Sequence, residues 1–203
     1  MPTEWYGIPG SGSHLRTDRF GSYWVGGGIY QRFAQAAADV AEQGELEEIV
    51  AEMRRVIGDE RVMIAEVYVP IERLVRYYGE DGRGAQLLFN FHLISTPWRA
   101  EDIGALIDRY EAALPDGAWP TWVLGNHDRS RVASRVGAAQ ARVAAMLLLT
   151  LRGTPTLYYG DEIGMRYLED LPDKEGSILS PHNNRTGSRT PMQWEPGPGA
   201  GFS

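Results

Sequence analysis

Between residues 45 and 160 the chain alternates stretches of helical apolar spacing with short apolar runs rich in β-branched residues. The first stretch, ELEEIVAEMRRVI, places its apolar residues on one helical face, and Gly58 follows as a stop signal. The alternation is typical of a parallel sheet with right-handed helical crossovers, which makes the fold class α/β. Strands are predicted at 61–68, 86–94, 121–126 and 154–160, with helices at 45–57, 71–78, 96–114 and 138–151 between them.

Two architectures fit this order of elements: an open, doubly wound sheet and part of a (β/α)8 barrel. A glycine-rich nucleotide-binding fingerprint after the first strand would favour the open sheet, and the sequence has none.

The two ends of the chain differ from its middle. Residues 1–41 begin glycine-rich without a hydrophobic period, and residues 166–203 are polar and rich in proline and glycine, so we expect an irregular segment and a long loop region there.

Composition excludes several classes of function. The net charge of −7 and the isoelectric point near 5.1 argue against a nucleic-acid or anionic-membrane partner. The absence of cysteine removes disulfides, thiolate metal sites and cysteine nucleophiles. The N-terminal sequence has no basic stretch followed by an apolar core, so we predict no signal peptide and a cytoplasmic location. We also expect no cofactor and no metal.

Polar side chains at the carboxyl ends of the strands are the candidates for chemistry, because that edge carries the active sites of such folds. Glu66 follows the apolar run VMIA. If the strand is buried on both faces, desolvation raises the pKa of this carboxyl and keeps a proton available near neutrality, as a general acid requires. The alternative is a structural glutamate paired with an arginine.

The third strand ends in Asn126, His127 and Asp128. His127 and Asp128 could bind a metal ion, but two ligands without a third at standard spacing specify a metal site poorly. A carboxylate beside an imidazole could equally bind two neighbouring hydroxyls of a sugar ring. The residues alone leave both interpretations open.

Several segments resemble the α-amylase family, glycoside hydrolase family thirteen. The stretch GNHDRSR resembles the Asn-His-Asp motif that closes the seventh barrel strand of that family, and SRTPMQW resembles a segment common in its α-glucosidase branch. Three further segments resemble the fifth, sixth and eighth strand segments of the family, in this order: MIAEVYVPIERLVRYYG, LLFNFHLI and GTPTLYYGDEIGM. The resemblance covers roughly residues 42–203. It implies that 42–165 form the second half of a (β/α)8 barrel, an incomplete barrel of strands five to eight.

The resemblance also implies an activity, the retaining hydrolysis of α-glucosides, and roles for individual residues. Glu66 matches the general acid/base, Asp128 the second carboxylate that holds sugar hydroxyls and stabilises the transition state, and His127 a histidine that binds the same ring. The retaining mechanism places its nucleophile and acid about 5–5.5 Å apart. The further residues that we predict to contact the substrate are Asn126, Arg131 and Tyr68.

One part of the family pattern is missing. The nucleophile of the family follows the fourth strand in a Gly-Phe-Arg-x-Asp context, and this chain has no such stretch. Arg16-Thr17-Asp18 has the Arg-x-Asp spacing but lacks a preceding apolar strand, which makes Asp18 a weak candidate. We therefore expect a truncated chain whose nucleophile comes from a missing segment, with the N-terminal half of the barrel as a partner beside the α-glucoside substrate.

Two other functions remain open at this point. The absent nucleophile favours an inactive fragment or paralogue that binds carbohydrate or serves as an interaction domain. The intact residues Glu66, His127 and Asp128 disfavour this interpretation, since burying a carboxylate without a purpose is costly. Within the family, the same residues with water held out would perform transglycosylation or isomerisation of α-glucosides.

Overall fold

A computed structural model of the protein describes residues 45–172 and 185–201. The candidate nucleophile Asp18 and the predicted irregular segment 1–41 lie outside these residues. The helices are α1 (Glu45–Ile57), α2 (Ile71–Leu74), α3 (His92–Ser95), α4 (Ala100–Ala113), α5 (Val132–Val136) and α6 (Ala138–Thr150). The strands are β1 (Ile64–Glu66), β2 (Leu87–Phe89), β3 (Thr121–Val123) and β4 (Thr154–Thr156), and 3₁₀ turns cover Val75–Tyr78, Glu80–Gly82, Asp161–Ile163, Arg185–Ser188 and Pro198–Gly201.

Helices α1 and α6 begin and end within a residue of their predicted bounds. Helix α1 ends at Ile57, and Gly58 adopts a φ of 75° while donating its N–H to the carbonyl of Arg54 at 3.1 Å. Glycine enters this left-handed region without the strain that a side chain would add, so the stop signal in the sequence has its usual physical basis. Helix α6 spans 138–150 against a prediction of 138–151.

The second predicted strand, 86–94, is half wrong. Only Leu87–Phe89 are extended, and the chain then turns into helix α3, whose carboxyl end is held by the Thr96 hydroxyl donating to the His92 carbonyl at 2.8 Å. Thr96 therefore ends α3 and does not cap the next helix, which begins at Ala100. A short apolar run fits a strand and a buried helical turn equally well, so periodicity could not separate them.

The described residues form two compact units, and the chain passes from one to the other after Asn90, after Leu106 inside α4 and after Thr121 at the start of β3. The first unit comprises 45–90 and 107–121. In it β1 pairs in parallel with β2, and Glu66 lies opposite Phe89. The core of this unit contains Leu88, which is fully buried, and the hydroxyl of Tyr78, which donates to the carbonyl of Trp119 at 2.9 Å.

The second unit comprises 91–106, 122–172 and 185–201, and in it β3 pairs with β4. Trp122 of β3 is fully buried and donates its indole N–H to the carbonyl of Arg152 at 2.8 Å, which ties β3 to the chain just before β4. Ala144 and Leu148 form the buried side of α6. Among the helices of the described ranges, none has the length and apolar character needed to cross a bilayer.

Replacing Leu88 tests the core of the first unit. Leu88→Ala should lower the free energy of unfolding by about 2–5 kcal/mol, because it removes a fully buried side chain and leaves a cavity. Val62→Ala serves as the control, since Val62 is 63% exposed and its truncation should change stability by less than about 0.5 kcal/mol. Urea unfolding measures both. Equal losses in the two variants would contradict the assigned core.

Candidate active site

The chain leaves the protein interior at the third residue after β3. Val123 and Leu124 are buried, Asn126 is half-buried and His127 is exposed. The side-chain oxygen of Asn126 accepts the backbone N–H of Asp128 at 3.0 Å. This local hydrogen bond closes an Asx-type turn, which fixes the backbone from which His127 and Asp128 project.

Asp128 is held by two arginines from a distant part of the chain. Its Oδ1 accepts a hydrogen bond from Nη1 of Arg185 at 2.9 Å and one from Nη2 of Arg189 at 3.1 Å. The imidazole Nε2 of His127 lies 3.5 Å from the same oxygen. Partial burial would raise the pKa of Asp128, but the hydrogen bond from Arg185 and the charges of His127, Arg185 and Arg189 outweigh it and lower that pKa. Asp128 is therefore an anion at neutral pH.

The two arginines come from the 3₁₀ turn Arg185–Ser188 and the residue after it. The turn is joined to the Asn-His-Asp backbone as well as to the Asp128 side chain. Nε of Arg189 donates to the carbonyl of His127 at 3.1 Å, and the buried Ser188 hydroxyl lies 3.0 Å from the same carbonyl oxygen. Backbone and side-chain contacts thus fix the arginines on one carboxylate.

Arg131, which the sequence analysis predicts to contact substrate, points into the interior. Its side chain is fully buried, with Nη1 donating to the Tyr159 carbonyl at 2.5 Å and Nη2 to the Ser188 carbonyl at 2.9 Å. The rings of Tyr158 and Tyr159 face its guanidinium, with centroids at 4.8 and 4.7 Å. A guanidinium committed to these partners holds the fold together, and its side chain has no exposed surface in this structure.

Asp161, the acidic residue nearest to Arg131, behaves differently from Asp128. Its carboxyl is almost fully buried, and its Oδ1 lies 3.7 Å from Nη1 of Arg131. Burial raises the pKa of Asp161 to about 6, although the charges of Arg131 and Arg135 oppose the rise. Desolvation prevails because the arginine is too distant for a hydrogen bond.

Glu66 and Tyr68 belong to the first unit, whereas the other predicted site residues of the described ranges belong to the second. Glu66 ends β1 as predicted, but the expected burial of this strand is wrong: Glu66 is exposed and Ile64 is 52% exposed. Within the described ranges β1 pairs only with β2, and little covers its side chains. The desolvation argument for Glu66 therefore fails for this structure, and its catalytic role remains a prediction from its position. Tyr68 follows, half-buried.

The alternative of a metal at His127 and Asp128 gains no support from the geometry. Across residues 45–172 and 185–201, no three histidine, aspartate or glutamate side chains are grouped as metal ligands. The Asp128 oxygen closest to His127 already accepts from two guanidinium groups, whose positive charge disfavours a cation at that place. The arrangement suits hydroxyl recognition by an anionic carboxylate.

Arg185 and Arg189 are site residues that the sequence does not single out. The available signal was two arginines spaced four residues apart in a polar, proline- and glycine-rich stretch. Their partner lies 57 and 61 residues earlier in the chain, and no local pattern specifies a pairing over that separation.

Comparison with known proteins agrees with the motifs. Residues 28–203 match the family model described as "Alpha amylase, catalytic domain". A salivary alpha-glucosidase of Anopheles gambiae is 34% identical over 184 residues, which are 81% of this chain and 31% of the relative. Maltase A1 of Drosophila melanogaster is 35% identical over 158 residues, which are 72% of this chain and 27% of the relative.

Among solved structures, the alpha-glucosyl transfer enzyme XgtA matches with a TM-score of 0.69 and 30% identity, over 78% of this chain and 32% of that one. The match confirms the predicted (β/α)8-type class. The chain spans about a third or less of the length of these relatives.

The charge on Asp128 can be tested by removing one arginine at a time. Arg185→Gln should raise the pKa of Asp128, because it deletes the hydrogen bond that lowers this pKa most, and Arg189→Gln should raise it less. The ¹³C chemical shift of the Asp128 carboxyl, followed against pH, measures the change. Arg166→Gln is the control, an exposed arginine whose removal should leave the titration in place. An unchanged titration in Arg185→Gln would contradict the assigned pairing.

Asp161 should make stability depend on pH. Its pKa of about 6 in the folded protein exceeds the unfolded value of about 3.9. The folded state binds the proton more tightly, so stability falls as the pH rises from about 4 to about 6 and stays lower above that range. Asparagine stays neutral at every pH, so Asp161→Asn does not lose this stability as the pH rises. The free energy of unfolding of Asp161→Asn minus that of the unaltered chain should therefore be about 2–3 kcal/mol larger at about pH 7.5 than at about pH 4.

Thermal or urea unfolding at several pH values measures the dependence. Glu169→Gln alters an exposed carboxyl that is not among the charges acting on the pKa of Asp161, and it should keep the pH profile of the unaltered chain. Parallel profiles for Asp161→Asn and the unaltered chain would refute the raised pKa.

Proposed function

Because this chain belongs to the α-amylase catalytic-domain family, we propose that it supplies the acid/base and the transition-state-stabilising carboxylate of an enzyme that hydrolyses α-glucosides with retention. The observation that carries the proposal is the Asp128 site: an anionic carboxylate in an Asn-His-Asp turn, fixed by two arginines. Relatives named as an alpha-glucosidase and a maltase support the choice of α-glucosides.

In the first step a nucleophilic aspartate bonds to the anomeric carbon while the glycosidic C–O bond breaks. Glu66 gives its proton to the leaving oxygen, so the departing sugar leaves as an alcohol and Glu66 becomes a carboxylate. In the second step Glu66 takes a proton from water, whose oxygen displaces the aspartate at the anomeric carbon. Two displacements restore the original configuration, and Glu66 regains its proton.

Asp128 acts on the sugar ring during both displacements. A carboxylate whose pKa is lowered by Arg185 and Arg189 accepts hydrogen bonds from ring hydroxyls in its charged form, and such bonds are stronger than neutral ones. They also strengthen as positive charge develops on the ring in the oxocarbenium-like transition state. The exposure of His127 beside Asp128 supports a role for this histidine as a donor to the same ring.

The nucleophile in this proposal comes from a segment other than this chain. No Gly-Phe-Arg-x-Asp stretch occurs in the sequence, and Asp18 follows its arginine without the apolar strand that the family pattern requires. The proposal therefore needs a barrel half that contributes the missing aspartate.

A second candidate is transfer of the glucosyl group to another sugar instead of to water. It is favoured by the 30% identity to a structure described as an alpha-glucosyl transfer enzyme. The same covalent intermediate would form, and a sugar hydroxyl would take the place of water in the second displacement, with Glu66 as its base.

Hydrolysis of an aryl α-glucoside tests the proposal, with the chain alone and joined to the first barrel half of a related α-glucosidase. The joined protein should release the aryl alcohol. Glu66→Gln should lower the rate by about 10²–10⁴-fold through loss of general acid–base catalysis. Glu60→Gln, an exposed carboxyl outside the motif, should match the unaltered protein. NMR should show the α-anomer of glucose first.

Each other outcome has a definite meaning. Activity of the chain alone that is lost in Asp18→Asn would assign the nucleophile to Asp18 and refute the separate segment. Sugar binding without turnover in the joined protein would contradict the enzyme and favour a carbohydrate-binding domain. Disaccharide products that exceed free glucose, with maltose as donor and acceptor, would select the transferase.

A further inference from the structure

We propose that Arg131 is a positioning residue that holds the Arg185–Ser188 turn in place, so that Arg185 and Arg189 reach the Asp128 carboxylate. The inference rests on the proposed function, because it assigns to Arg131 a task in building that site. In this proposal Arg131 does not make the sugar contact that the sequence predicts, but acts on the sugar through the two arginines and Asp128.

The base of the Arg131 side chain is fixed close to Asp128. Arg131 lies three residues after Asp128 and immediately before α5, and its carbonyl accepts the N–H groups of Ser134 at 3.0 Å and Arg135 at 3.1 Å. The start of a helix is a rigid platform, since its first turn is closed by these bonds. The backbone of Arg131 is therefore fixed relative to the Asn-His-Asp turn, and the hydrogen bonds of its guanidinium fix the end of the side chain.

From the start of α5 the Arg131 guanidinium extends to the Arg185–Ser188 turn. Nη2 donates to the Ser188 carbonyl at 2.9 Å, one residue before Arg189. The Tyr158 hydroxyl donates to the same carbonyl at 3.1 Å, and the Tyr159 hydroxyl donates to the Thr190 carbonyl at 2.7 Å. The two rings that face the guanidinium thus bind the same segment that the guanidinium binds.

Arginine suits this position better than any other residue. Its planar fork donates at the same time to Ser188 and, through Nη1, to the Tyr159 carbonyl, which joins the chain after β4 to the turn. Close approach depends on Gly160, because a Cβ at that position would lie 3.1 Å from Nη1 of Arg131 and 2.2 Å from the sulfur of Met165. A lysine offers one compact ammonium and cannot bridge the two carbonyls with the same geometry.

Limited trypsin digestion reads the position of the turn without requiring catalysis. Trypsin cleaves after Arg185 and after Arg189 when the turn opens, and mass spectrometry follows each bond. In Arg131→Met, which removes the donors and keeps an apolar side chain, both bonds should be cut about tenfold faster, because the lost charged hydrogen bonds favour local opening. Cleavage after Arg55 in α1 serves as the internal reference and should keep its rate.

The second readout is the titration of the Asp128 carboxyl by ¹³C NMR. If the turn moves, the pKa of Asp128 should rise toward its ordinary value in Arg131→Met. A residue that only stabilises the fold would lower the unfolding midpoint and leave this titration unchanged. Arg131→Lys should show a smaller change in both readouts, and it decides the question if Arg131→Met does not fold.

Arg135→Met is the matched control, since Arg135 is also largely buried and also donates to two carbonyls, those of Ser130 and Leu124, but does not contact the turn. It should reduce stability without faster cleavage after Arg185 or Arg189. Normal cleavage and a normal Asp128 titration in the Arg131 variants would overturn the proposal. Because neither readout needs turnover, an inactive protein would refute the proposed function and leave the positioning role to be judged separately.

Discussion

The second unit is organised around the buried charge of Arg131. A guanidinium removed from water is costly unless hydrogen bonds and opposite charge replace its hydration. The carbonyls of Tyr159 and Ser188 and the faces of two tyrosine rings supply these partners. They come from the chain after β4 and from the Arg185–Ser188 turn, so satisfying one side chain requires both segments to pack beside the end of β3.

The same unit contains two aspartates near arginines whose pKa values move in opposite directions, and their contacts explain why. Asp128 is 28% exposed and accepts hydrogen bonds from two arginines, which lowers its pKa. Asp161 is 7% exposed, and its Oδ1 has no hydrogen-bond partner within the described ranges. At 3.7 Å from Arg131 the attraction does not offset desolvation, so its pKa rises. Direct donation, more than the number of nearby arginines, decides the charge state.

Local patterns in the sequence predict those parts of the fold that depend on local physics. The apolar spacing of α1 and the helix-forming residues of α6 predict their bounds to within a residue, and Asn126–Asp128 follow a strand as expected, although β3 ends at Val123. Helix α3 is missed because a short apolar run carries no periodicity of its own. The exposure of Glu66 and the partners of Asp128 depend on residues far along the chain, and a single sequence contains no local signal for either.

The two carboxylates proposed for catalysis, Asp128 and Glu66, differ in how much of their environment the described residues provide. Asp128 has its Asx turn, its two arginines and its lowered pKa inside one compact unit. Glu66 stands exposed at the end of β1. A general acid needs a pKa close to the working pH, which for a glutamate requires desolvation or a neighbouring negative charge. An active enzyme must therefore cover β1 with further groups or place the nucleophilic carboxylate beside Glu66. A retaining enzyme does the second of these, because its nucleophile and acid lie about 5.5 Å apart and the nucleophilic carboxylate supplies a neighbouring negative charge.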